Sequence, residues 1–164
     1  MKKAAILYST NTPTIDAIKA QVKDCEVLCF NDVTDFAPED FDLVILSEYK
    51  GNVDFEALNV HHSLLPSFDS EEPVRDAILA GVKVTGITIY YTKSGRIMAQ
   101  YPIFINNDTH YDELKIQLKN LEQIIYPLVI EKILNNEPFE IQKLLNSNKS
   151  SCGGKCGDCG CCGK

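Results

Sequence analysis

Three short apolar runs punctuate the first part of the chain, at residues 4–8, 27–30 and 41–46, and residues 60–66 read as a strand passing into a loop. Each of the three runs is too short for a helix of ordinary length and lacks the polar alternation of a half-wet strand. That pattern predicts buried strands covered on both sides, as in a parallel sheet. Between the first two, Ile15, Ile18 and Val22 recur at helical spacing behind Pro13. A proline in the first turn suits a helix start, because its missing N–H would be unpaired there anyway. A second helix is predicted over 71–80, with Val74, Ala77 and Ile78 inward and Gly81 ending it. Two further strands follow, 82–92 and 97–105, joined by a tight turn at Ser94 and Gly95.

The last periodic stretch is the longest. Leu114, Leu118, Leu121, Ile125 and Leu128 step by fours and threes, the signature of one amphipathic helix. Asn107, Asp108 or Thr109 is expected to cap it, and Pro127 is expected to kink or divide it. Strands alternating with helices give an α/β class with a mostly parallel central sheet flanked by helices.

Composition adds a division. The chain has 164 residues and a formal net charge of −7. That length suits one domain with a real core. The acidic balance argues against nucleic-acid partners and against a basic membrane-surface protein. Five of the seven cysteines, Cys152, Cys156, Cys159, Cys161 and Cys162, fall in the last 14 residues together with five of the nine glycines. A body over 1–145 is therefore followed by a linker and Cys/Gly-rich tail over 146–164. No apolar run reads as a secretory signal or a membrane span, so a cytoplasmic protein is expected. In that compartment clustered thiols read as metal ligands or redox groups. Four thiolates suffice for a tetrahedral zinc site, and soft sulfur equally suits an iron–sulfur cluster or copper(I). A thiol-rich tail with no defined task is the plainer alternative. Cys25 and Cys29 flank a predicted strand and read as small core residues.

The chemistry concentrates in NVHHSLLP, residues 59–66. In an extended segment Asn59 and His61 point the same way. An amide and an imidazole on one spot can donate hydrogen bonds to an oxygen gaining charge in acyl transfer. An imidazole also exchanges protons near neutral pH. The same spacing equally describes a polar strand end with a solvated histidine.

This stretch resembles the N-x-H-P-S-L-L-P signature of the folate-dependent formyltransferases. The likeness continues in order. GITIY at 86–90 resembles that family's G-x-T-V-H strand, and 97–100 resembles its I-I-x-Q strand. Asp108 and Thr109 resemble the pair that opens its long helix. Residues 122–130 resemble its E-H-x-L-Y-P-x-V-I segment. The resemblance implies a Rossmann-like formyltransferase fold and a small-molecule amine as formyl acceptor. It also implies 10-formyltetrahydrofolate as donor, with Asn59 and His61 as the oxyanion-stabilising pair.

Several departures accompany it. The turn at 93–95 is short and has no acidic residue, so nothing takes the role of the family's proton-managing aspartate. Tyr90 stands where the family has a strand histidine. The first loop, with Ser9, Thr10 and Asn11 as candidate substrate-binding residues, has Thr10 and Thr12 for glycines and Pro13 for an N–H donor. It makes a poor phosphate cradle, because such cradles need close backbone approach and free amides. Small-anion binding and ordinary turn roles both remain open for it. The body before Asn59 is also several dozen residues short for the family, which implies at least one missing βα unit. Formyl transfer with reduced or no canonical activity is one expectation. A small-ligand binding module and a metal or redox role for the tail are the others.

Overall fold

The structure is a computed structural model that describes residues 1–138 apart from residue 35. Its elements are β1 (Lys2–Tyr8), α1 (Pro13–Gln21), β2 (Cys25–Phe30), β3 (Leu43–Ser47), β4 (Leu58–His61), α2 (Pro73–Leu79), β5 (Val84–Tyr91), β6 (Ile97–Phe104) and α3 (Tyr111–Leu134). The strands form one six-stranded sheet in the order β2-β1-β3-β4-β5-β6. β1 pairs in parallel with β2 and β3, and β3 with β4, while β5 is antiparallel to both β4 and β6. Five strands thus share one direction, and β5 alone opposes them. The expected α/β class and mostly parallel sheet hold.

The helices lie on one face only. Ala4, Ile6, Leu43, Ile45, Ile87 and Ile89 share a core with Ile15 and Ile18 of α1, Val74 and Ala77 of α2, and the inner side of α3. The alternate residues, Ala5, Leu7, Val44 and Leu46, face the other way with Ala57. No α-helix covers them among the described residues. The β3–β4 crossover (residues 48–57) is irregular, and the β2–β3 crossover holds only a 3₁₀ turn at Pro38–Asp40. Parallel strands ordinarily need a crossover of a dozen residues or more, usually a helix. Here aromatic side chains do that covering. Phe36 stacks on Phe41, and Phe30 meets both edge-on, with ring centroids 5.1–5.7 Å apart. Phe55, Tyr49 and Val53 complete the cover.

Several local expectations shift. α2 is shorter than predicted, but Gly81 does end it, at φ +68°, receiving the chain in the left-handed conformation glycine takes freely. α3 begins after His110, not at residues 107–109, and has no side-chain cap. Thr109 instead spends its hydroxyl on the Asn106 N–H at 3.1 Å, closing a turn ahead of the helix. Pro127 does not divide α3. Burial of Ile125, Tyr126, Val129 and Ile130 around it outweighs one missing backbone bond. The buried stripe of α3 also differs, because Glu122 enters the core while Leu121 and Leu128 are half-buried. Cys25 and Cys29 are half-buried free thiols on an edge strand.

Candidate functional site

Because β1, β3 and β4 are parallel, their carboxyl ends meet at one rim of the sheet. In open α/β sheets that rim is where ligands bind. The chain puts Ser9–Asn11, Ser47, Glu48 and the Asn59–His62 segment there.

Asn59 and His61 lie two apart on β4 and so share a sheet face, the one without helices. Their register partners on β5 are Tyr90 and Thr88. The Asn59 amide Nδ2 donates to the Tyr90 hydroxyl at 3.4 Å, while its Oδ1 accepts the Val60 N–H at 2.9 Å. His61 Nε2 donates to the Phe68 carbonyl at 3.0 Å. The two side chains therefore share a face, each oriented by its own partner. No Asp or Glu among the described residues bonds to His61. The short turn at 93–95 closes tightly instead, with Gly95 at φ +67° and Ser94 donating to Glu56 at 2.8 Å.

His62 turns to the opposite face. Its Nε2 meets Glu122 Oε2 at 2.6 Å, and Thr14 of α1 donates to Glu122 Oε1 at 3.1 Å. Lys119 stands 4.0 Å from the same carboxylate and also pairs with Glu48. Glu122 is 1% exposed. Burial pushes its carboxyl up, but the His62 hydrogen bond and charge, with Lys119 and Thr14, together hold it below the usual glutamate range. Sequence reasoning passed over this cluster. Its signal was a charged residue inside an apolar helical stripe, where only a paired group survives.

The first loop places Ser9, Thr10 and Asn11, all exposed, between β1 and α1. Ser9 Oγ accepts the Lys50 N–H at 2.9 Å, and Thr12 shares a hydrogen bond with Ser47 at 3.3 Å. Two of the loop's hydroxyls are thus tied to the carboxyl end of β3 and the residues just after it. The five tail cysteines lie outside the described residues. Among the described residues no cluster of three or more His, Cys, Asp or Glu could hold a metal, and no helix is long and apolar enough to cross a membrane.

A family model described as formyl transferase matches residues 40–130, which include β3 through most of α3. The chain belongs to the formyl transferase family. It is 36% identical over 94 residues to phosphoribosylglycinamide formyltransferase of Bacillus subtilis, covering 55% of this chain and 46% of that protein. It is 35% identical over 89 residues to methionyl-tRNA formyltransferase of Mycoplasmopsis pulmonis, covering 52% of this chain and 31% of that protein. The chain thus spans about half, or less, of the curated relatives it matches. The crystal structure of phosphoribosylglycinamide formyltransferase from Bacillus halodurans superposes with a TM-score of 0.67 at 25% identity, covering 85% of this chain and all of that one. The corresponding structure from Anaplasma phagocytophilum gives a TM-score of 0.70 at 20% identity, over 82% of this chain and 88% of that one. These likenesses bear out the Rossmann-like formyltransferase fold.

Proposed function

We propose that this formyl transferase moves a formyl group from 10-formyltetrahydrofolate to a small amine, with Asn59 and His61 as the reacting pair. The observation that carries the reading is one half-buried sheet face at the rim that holds both the Asn59 amide, bonded to the Tyr90 phenol, and the His61 imidazole. That donor set fits a formyl carbonyl, whose oxygen gains charge as the amine attacks. The formyl donor supplies an electrophilic carbon. The Asn59 N–H stabilises the oxygen, and His61 handles the proton. A small amine is preferred to a tRNA acceptor because the chain is acidic, at −7, and phosphate backbones are bound by the opposite charge. The bonded Ser9 and Thr12 hydroxyls and Pro13 give a phosphate-bearing acceptor little to hold.

Turnover below that of a complete enzyme is expected, since no carboxylate among the described residues orients His61 and single acid–base groups contribute about 10²–10⁴-fold. The same observation favours a second reading, a site that holds the folate without turnover. We further propose that the tail thiols bind zinc or an iron–sulfur cluster, independently of this site. Formyl transfer to a panel of small amines tests the first reading. Asn59→Ala is expected to slow it about 10²-fold or more. Equal rates for the variant and the natural chain contradict it.

A further inference from the structure

Between β4 and α2, residues 63–70 form a strap over the carboxyl end of β4. The strap is tied down from β5 and β6. Thr88, fully buried, donates its hydroxyl to the Ser63 carbonyl at 2.7 Å and accepts the Leu65 N–H at 2.9 Å. Gln100 Nε2 donates to both the Leu65 carbonyl at 2.8 Å and Thr88 Oγ1 at 3.1 Å. Within the strap, the Ser63 hydroxyl donates to the Ser67 carbonyl at 2.6 Å. Its far end is moored to α2 by Ser70 on Asp76 at 2.5 Å.

Within this anchored strap Phe68 sits at φ +53°. The left-handed region is costly for a bulky side chain and persists only where its surroundings impose it. The consequence is that the Phe68 carbonyl points at His61 Nε2, 3.0 Å away. A carbonyl oxygen only accepts, so the nitrogen facing it must carry the proton. In a neutral imidazole the other nitrogen is then a bare acceptor.

We propose that the strap is a positioning device for His61: the Phe68 carbonyl locks the imidazole as its Nε2–H tautomer, leaving Nδ1 as the nitrogen that exchanges protons with substrate. Thr88 and Gln100 are positioning residues that act through the strap. A backbone carbonyl thereby orients the histidine, which no carboxylate among the described residues does. The chemistry rests on the formyl-transfer reading; the geometry does not. In that chemistry the amine nitrogen bonds to the formyl carbon and the carbonyl electron pair moves to oxygen. Nδ1 removes the proton the amine sheds. The carbonyl then re-forms, the bond to the donor nitrogen breaks with its pair on that nitrogen, and Nδ1 returns the proton there.

The test is long-range ¹H–¹⁵N correlation spectroscopy of the full chain at a pH where the imidazole is neutral. His61 is expected almost wholly as the Nε2–H tautomer. Thr88→Val should release a mixture of tautomers and lower kcat about tenfold, with KM changed less. Phe68→Gly, free to adopt positive φ, should keep the tautomer, whereas Phe68→Pro, fixed near −65°, should lose it. A natural chain already showing Nδ1–H or a free mixture overturns the inference, as does a lock indifferent to both Thr88→Val and Phe68→Pro. A lock found and released as stated, in a chain that transfers no formyl group, supports the positioning role and removes the formyl-transfer reading alone.

Discussion

Glu122 keeps a charge while buried because three side chains from other turns and elements surround it. Removing His62 leaves that carboxylate with Thr14 and a distant Lys119 only. His62→Ala is expected to destabilise the fold by about 3 kcal/mol, read from urea unfolding, since an uncompensated buried charge costs roughly 3–5 kcal/mol. The pH dependence follows from the same pairing. The folded carboxyl titrates below its unfolded value, so its contribution is complete above about pH 4.3, the unfolded glutamate range, and fades as the pH falls through the folded value. Glu122→Gln should flatten that acid limb of the stability curve; an unchanged limb would show that other carboxylates set it. Gly86 is constrained by space. A Cβ there would lie 2.1 Å from the Tyr101 carbonyl oxygen and 2.9 Å from Leu64 of the strap. Gly86→Ala is expected to cost about 3 kcal/mol in the same measurement, because backbone and strap must both move. At this scale the period-two spacing placed Asn59 and His61 on one face, as the strand does. The sequence concealed the partners, because Tyr90, Phe68 and Glu122 reach the rim from other elements across 7 to 60 residues.

Among the elements, β4 is the one most dependent on neighbours. It shares a single register pair with β3, Ile45 with Leu58. Where the two strands part, the Tyr126 hydroxyl of α3 donates across them, to the Leu58 carbonyl at 2.7 Å and the Leu46 carbonyl at 3.0 Å. Full burial and the nearby Glu122 charge hold this phenol well above its ordinary range, so it stays a donor at any working pH. Tyr126→Phe should cost about 1–3 kcal/mol, the penalty for leaving buried carbonyls short of a donor. Hydrogen exchange should speed up first at β3 and β4; uniform exchange across the sheet would show that Tyr126 does not staple them. The strands and helices themselves were legible, since apolar runs and 3.6-residue spacing depend on local sequence. The start of α3 and its passage through Pro127 were not, because a turn at Asn106–Thr109 and long-range burial decided them.

For the whole molecule, the two crossovers between β2 and β4 carry no α-helix among the described residues, and aromatic rings cover that sheet face. The apolar runs implied a sheet covered on both faces, but only the topology shows that side chains rather than helices cover one of them. The Cys/Gly tail beyond the described residues is a separate question. A chain ending at Ser150 should unfold at the same temperature as the full chain yet lose its zinc or iron; equal metal content in both would remove the tail as a metal site. The central claim concerns the rim, where Asn59 and His61 are proposed to receive a formylated folate. Calorimetric titration with 10-formyltetrahydrofolate tests it most directly. Saturable binding, weakened at least tenfold by His61→Ala, is the predicted result. No binding, or binding indifferent to His61→Ala, would contradict it.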